Sequence, residues 1–394
     1  MAKWRTPKHY NRALQKKGDA YSYKGIKRPP VFRKLKLHVC DPSLPSCIGH
    51  DLFIGGVVDV DLASIIRYFV KDKKWFKYKL INKRIMALKC RANDAGNKPA
   101  KIHLKGKKLG GHAVQNWCLL RLLPFLIGDK IQDTADPIWK LYLQLKSICE
   151  LVCAPALTKT QIATMRGMLV DYLEMRKPLR NRYKPKHHYF QHLADLWERF
   201  GPMIFMWTLG FEQYHQFFKR VSRVCNNYIN LLFTFASRHQ LMQAYESTGV
   251  LFPSEASYNH AYPLLPESES AAIHAFIQEK CTFSQDALVI EKLSYNEIDY
   301  KADQYLLFGG DNLSDMYVGK IKLIIHDACN YYVIVSKYKT VMWEEYGIHR
   351  IVKRDAVISM VKVDSLENPC PHGVYEFEGK KCISLKNVLL PSQQ

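Results

Sequence analysis

"GVLFPSEASYNHAYPLLPESES", residues 249–270, divides the chain into two patterns of hydrophobicity. Upstream of it, apolar residues recur at three- and four-residue intervals, the period of a helix buried along one face. Downstream, from about Phe283, they alternate: "GKIKLIIH" (319–326), "YYVIVSKY" (331–338), "TVMWEEYGIHRIV" (340–352), "DAVISMVKV" (355–363) and "KKCISLKNVLL" (380–390). Alternation with Asp, Asn and Gly between the runs predicts antiparallel strands, and short strands in series suggest a small barrel. The dividing stretch, rich in Pro and Ser, reads as a linker. The expected fold is therefore α+β: a mainly helical body followed by a small antiparallel β-barrel. Its parts are a basic extended arm (1–36), a helical domain (37–248), a linker (249–282) and a barrel-like domain (283–390).

Within the helical part, the pattern predicts a short amphipathic helix over "DLASIIRYFVK" (61–71). It then predicts helices over 113–127, 137–152, 160–176, 188–200 and from 211 to about 245. Pro137 suits the first turn of its helix, and Gly201-Pro202 ends another. "RANDAGNKPAKIHLKGKKLGG" (91–111) reads as a solvated Lys/Gly-rich loop, without the spacing of a phosphate-binding glycine loop. The longest apolar run, "AVQNWCLLRLLPFLIG" (113–128), is broken by Asn116, Arg121 and Pro124 and is too short to span a bilayer, so no membrane partner is expected.

The chain has 394 residues, 47% hydrophobic and 12% aromatic, enough to build a core rather than remain disordered. Its 58 Lys+Arg against 36 Asp+Glu give a net charge of +22. The surplus is concentrated: residues 1–110 hold 27 Lys+Arg against 7 Asp, an excess of 20, and no Glu precedes Glu150. Such a surface attracts polyanions, nucleic acid before anionic lipid. In "KDKKWFKYKLINKRI" (71–85) aromatic residues interleave the cations, which favours nucleic acid. The residues expected to bind it are Lys71, Lys73, Lys74, Lys77, Lys79, Lys83, Arg84, Lys105, Lys107 and Lys108, with Lys219 and Arg220 further along. Eleven cysteines, no CxxC pair and no apolar leader in "MAKWRTPKHYNRALQKKG" suit a reduced, intracellular compartment.

Two stretches carry candidate chemistry. "LHVCDPSLPSCIGHDLF" (37–53) sets His38, Cys40, Cys47 and His50 close together, which opens the alternative of a structural zinc site. The spacing H-x-C-x6-C-x2-H is not a common finger pattern, and cysteines are often small buried hydrophobes. "WTLGFEQYHQFFKR" (207–220) places Glu212 and His215 three apart on one helix face, with Lys219 a turn further on. Taken alone, this is an ordinary polar edge. His187, His188 and His192 of "KPKHHYFQHLADLWERFGP" read as polar residues near a helix start.

Five stretches together resemble one family: "HVCDPSLPSCIGHDLF", "GKKLGGHAVQNWCLLRLLPFLIGD", "LYLQLKSICELVCAP", "KPKHHYFQHLADLWERFGPMIFMWTLGFEQYHQFFKR" and "ASRHQLMQAY". They look like the C-terminal half of animal CACTA-type (En/Spm) DNA transposases, over roughly residues 5–252. The resemblance implies a remnant of an RNase H-like core, in which carboxylates hold two Mg²⁺ ions for phosphodiester transfer. It assigns Cys47 and His50 to the family's C/D-x-x-H element and Glu212 to its last acid, with His215 and Lys219 beside the metals or the DNA. It also exposes departures. The first two metal-binding aspartates lie upstream of C/D-x-x-H, where this chain offers only Asp19 and Asp41, and "LFIGG" stands where the family tends to read "LFEG". One carboxylate cannot clamp two magnesium ions.

The implied protein is therefore transposase-derived, DNA-binding, nuclear and catalytically incomplete, needing no cofactor as a lone chain. Two alternatives accompany that expectation. One is an active Mg²⁺-dependent transposase or nuclease, completed by another chain; the other is an interaction scaffold whose barrel takes a protein partner.

Overall fold

The computed structural model describes residues 6–15, 29, 46–103, 108–179, 183–225, 228–248, 256–265, 267, 270–309, 316–352 and 357–389. Of the expected basic arm, the described part includes helix α1, Pro7–Gln15, which buries Tyr10 and Ala13. His38, Cys40, Lys105 and Lys107 lie outside the described residues.

The helical body runs through α2 (Val57–Arg67), α3 (Tyr78–Ala87), α4 (Ala113–Ile127), α5 (Pro137–Val152), α6 (Lys159–Met175), α7 (Pro185–Phe190), α8 (Leu193–Phe200), α9 (Leu209–Cys225) and α10 (Leu231–Ser247). One apolar cluster, from Ile48 to Met203, joins α2 to α8 around Trp139, Tyr142, Phe53 and Phe69. Full burial of a side chain of this size contributes roughly 1.5–3 kcal/mol. The starts of α5 and α6 follow from their caps: the Asp136 carboxylate accepts from Ile138 N, and Thr158 with Gln161 forms a reciprocal box. The helix α2 departs from the amphipathic expectation, since it buries Asp59 and Asp61 along with its apolar residues. Asn116 and Arg121, which interrupt the apolar run of α4, are also buried: Asn116 donates to the carbonyls of Phe53 and Gly111, and Arg121 pairs with Asp94. No described helix is long and apolar enough to cross a membrane.

The stretch read as a linker carries structure, strand β1 (Ala256–Pro263) and helix α11 (Ala271–Lys280). Nine further strands follow: β2 (Leu288–Tyr295), β3 (Ile298–Lys301), β4 (Tyr305–Gly309), β5 (Met316–Asp327), β6 (Asn330–Trp343), β7 (Ile348–Ile351), β8 (Val357–Lys362), β9 (Tyr375–Phe377) and β10 (Lys380–Ile383). All the pairings are antiparallel, as expected, but the barrel is not formed. The ten strands make an open sheet in the order β1-β2-β5-β6-β7-β10-β9, with β3, β4 and β8 added beside β2, β5 and β6. Closure would require β1 to meet β9. The first half of β6 pairs with β8 and its last four residues with β7, which pairs with β10 and so leads to β9, while β1 stands at the other end of the order.

That far end docks on the helical body. Trp139 Nε1 donates to Glu345 O at 2.7 Å, Lys146 Nζ to Gly347 O at 2.6 Å and Ser384 Oγ to Arg121 O at 2.7 Å. Phe377 packs on Phe125 and Tyr346. A Cβ on Gly128 would lie 2.8 Å from the Phe377 ring, so this close approach requires glycine.

Candidate functional site

Two tight turns bring the site together. Residues Gly49–Phe53 wind into one π-helical turn, begun by Cys47, whose carbonyl accepts from the backbone N–H of His50 at 3.1 Å and Asp51 at 2.8 Å. The turn must then reverse into α2. Gly55 does this with φ +64°, and a Cβ on Gly56 would fall 2.3 Å from the Asp51 carbonyl oxygen. The second glycine of "LFIGG" thus serves a backbone contact. Asp59 fixes the bend by accepting from Gly55 N and Leu109 N, both at 2.7 Å. From α7, Lys186 Nζ donates to the carbonyls of His50 at 2.5 Å and Ile54 at 3.4 Å.

The helix α9 arrives on the other side. Thr208, the residue before it, donates its hydroxyl to Cys47 Sγ at 2.9 Å and its backbone N–H to the same sulfur at 3.4 Å. Cys47 Sγ lies 3.2 Å from His50 Nδ1, and His50 Nε2 lies 3.0 Å from Glu212 Oε1. The sulfur, imidazole and carboxylate form a line that ends in a cleft of about 510 Å³, lined by His50, Ile54, His112, Ala113, Val114, Glu212, His215, Gln216 and Lys219. The His50 and Glu212 side chains remain 37% and 51% exposed.

Burial by itself would raise the Cys47 thiol, but the hydrogen bonds of Thr208 and His50 hold it below the ordinary thiol range. At Asp51 burial prevails over Lys186 and keeps the carboxyl above the usual range.

The residues assigned by resemblance, Cys47, His50, Glu212, His215 and Lys219, therefore share one site. Thr208, Lys186 and His112 join them without having been singled out in the sequence. Only Thr208 had a local signal, a hydroxyl residue just before a helix with an acid in its first turn. Of the zinc alternative, His38 and Cys40 lie outside the described residues, while Cys47 and His50 contact each other, Thr208 and Glu212. No group of three or more His, Cys, Asp or Glu suited to a metal occurs among the described residues. The donor set does not suit a pair of magnesium ions either. Glu212 is the only carboxylate lining the cleft among the described residues, and one of its oxygens faces His50.

The expected nucleic-acid residues divide in two. Lys71, Lys74, Lys77, Lys79 and Lys83 are exposed around the start and outer face of α3, Lys108 is exposed near Gly55, and Lys219 and Arg220 are exposed on α9. Lys73 and Arg84 already have protein partners. Lys73 Nζ sits 2.9 Å from the buried Asp136 carboxylate, and Arg84 binds Asp129 through both terminal nitrogens and the Leu126 carbonyl at 2.8 Å. Comparison with protein-family models, curated proteins and solved structures finds no match.

Proposed function

We propose that the chain is a transposase-derived nuclear protein that holds DNA through phosphate contacts and does not cut it unaided. The observation that carries this reading is the pairing of His50 with Glu212 at 3.0 Å. These are the positions that the resemblance assigns to the C/D-x-x-H element and the last acid, and they come from segments far apart in sequence. They meet beside Lys219, His215 and His112, in a cleft with one carboxylate. A cleft that offers one lysine, three imidazoles and a single acid lacks the carboxylates of two-metal chemistry and can hydrogen-bond a phosphate backbone. The exposed lysines at α3 offer a further basic patch, and most of their contacts would position the duplex without reading its sequence.

The test is a titration of fluorescent duplex DNA at increasing salt. Affinity should fall steeply and linearly on logarithmic axes, and an affinity independent of salt would exclude the reading. A second arm incubates supercoiled DNA with Mg²⁺. Nicking by the wild type that is abolished in Glu212→Gln would replace the binding reading with an enzymatic one.

A further inference from the structure

We propose that the outward side of the α9–α10 pair is an interface with a second copy of this chain, the two α10 helices lying antiparallel across a two-fold axis. The proposal does not depend on DNA binding or on the cleft at Glu212. The helix α10 folds back on α9 through ring contacts: Phe235 lies on Phe218 with centroids 5.4 Å apart, and His239 stacks on the same ring at 5.8 Å. A step of two residues carries a side chain to roughly the opposite side of a helix. Phe233, two before Phe235, and Leu241, two after His239, therefore point away from α9, and they are 68% and 70% exposed.

None of the seventeen residues of α10 is buried. Val224, Tyr228, Ile229, Leu232 and Tyr245 add to the exposed apolar surface of the pair and its connecting turn, each more than half exposed. At roughly 150–250 Å² for a full side chain of this size, the seven together offer about 1,000 Å². The largest apolar patch on an ordinary monomer is about 300–600 Å². A stable pair of proteins needs about 800 Å² from each partner, which this surface supplies.

Charge selects the occupant. A chain of net charge +22 repels its own copies except where cations are few. In α10 only Arg238 and Glu246 are charged, one of each sign, whereas α9 carries Lys219, Arg220 and Arg223. Two copies can therefore meet along α10 without bringing like charges together. An antiparallel pairing has a natural register there. With Phe233 of one copy against Leu241 of the other, Ser237, midway between them, falls on the axis opposite itself, and its small side chain lets the helices approach closely. The two α9–α10 pairs then form a four-helix bundle.

The test is sedimentation of the full chain, freed of nucleic acid, over a concentration series in about 0.5 M salt, which screens the remaining repulsion. A monomer–dimer equilibrium should appear at micromolar concentration. The double variant Phe233→Glu/Leu241→Glu should weaken it by about a hundredfold or more while circular dichroism stays native. Met342→Glu, at an exposed apolar residue of the sheet, should leave it unchanged. In Ser237→Cys, mild oxidation should join the two substituted positions, read by mass spectrometry of the cross-linked peptide. A chain that stays monomeric up to about 0.1 mM leaves this face to another occupant and overturns the proposal. So does a dimer that survives the double glutamate variant, or one in which the substituted 237 positions do not cross-link.

Discussion

Arg176 grips Asp61 with two nearly parallel hydrogen bonds, Nε to Oδ2 at 2.9 Å and Nη2 to Oδ1 at 2.8 Å, between side chains that solvent hardly touches. Tyr172 OH adds a bond at 2.8 Å, and His187 Nε2 approaches both carboxylate oxygens at 3.2 Å. This cluster ties α2 to the end of α6 and to α7, the helix that carries Lys186 to the site. Burial would push the Asp61 carboxyl up, yet His187 and Arg176 hold it at about 2. Asp61→Ala removes the carboxylate and leaves Arg176 buried without its counter-charge. It should lower the unfolding free energy by about 3–5 kcal/mol. Urea denaturation is the measurement, and a loss smaller than about 1 kcal/mol would show the cluster to be dispensable.

Stability should fall in two stages on acidification. Burial lowers the imidazoles of His349 and His372 to about 4, helped by Lys146 at the first and by Lys386 and Arg121 at the second. Both rings are neutral in the fold at higher pH, whereas the unfolded chain takes up their protons near its ordinary pKa of about 6.5. Their stabilisation is complete above that value and is lost as pH falls from about 6.5 to 4. Asp61 follows the carboxylate rule: its stabilisation is complete above about 4 and is lost as pH falls toward 2. Unfolding free energies at pH 7.5, 5.5 and 4.5 should decline through the first window, and His372→Asn should reduce the slope there. A flat profile from about pH 7 to 4 would contradict the assignment of two neutral rings.

Much of the fold is legible where local chemistry determines it. The helix α4 occupies the expected 113–127 and α5 the expected 137–152, since Asp136 and Pro137 fix the start of the second by capping. Apolar spacing predicts a single last helix continuous to about 245, but there are two: Asn230 Oδ1 accepts from Phe233 N and begins α10 afresh. Periodicity extends across such a break because the apolar spacing persists on both sides. Alternation identifies most of the strands and cannot show closure, because closure depends on which edges meet. At the site, Cys47, His50 and Glu212 stand out in the sequence only through the resemblance. Thr208 and Lys186 are not, because their contacts join segments that nothing local relates. Asp61 looks like the polar start of an amphipathic helix for the same reason: its partners, Arg176 and His187, lie more than a hundred positions away.

The lysines around α3 should act on DNA rather than on the fold. Tyr78, Ile81 and Ile85 bury the inner face of α3, leaving Lys79 and Lys83, one turn apart, on the outer face beside Lys77. The double variant Lys79→Glu/Lys83→Glu should weaken duplex binding by about tenfold or more and reduce the salt slope by about one for each phosphate no longer neutralised, with an unchanged thermal midpoint. Arg84→Gln should do the reverse, leaving the salt slope near that of the wild type and lowering the midpoint, because Arg84 binds Asp129 and the Leu126 carbonyl at the end of α4. If both variants changed the same property, the division between free and paired cations would be wrong.

The sheet and the helical body should unfold as one unit only while Lys146 holds them together. Its ammonium group is buried and donates to Gly347 O at 2.6 Å and to Glu150 Oε1 at 2.5 Å, joining α5 to the turn between β6 and β7. Gly347 can present that carbonyl because it adopts φ +62°, and a Cβ there would lie 3.0 Å from Leu143 Cδ2. Lys146→Met retains the length and apolar stem of the side chain but strands both acceptors. Leaving them unpaired should cost about 1–3 kcal/mol each. Because the loss falls at the junction, thermal unfolding should broaden or separate into two transitions, and limited proteolysis should cut the 344–347 turn sooner than in the wild type. A single transition at the wild-type midpoint, with no faster cleavage, would mean that Trp139 and Ser384 hold the sheet in place without Lys146.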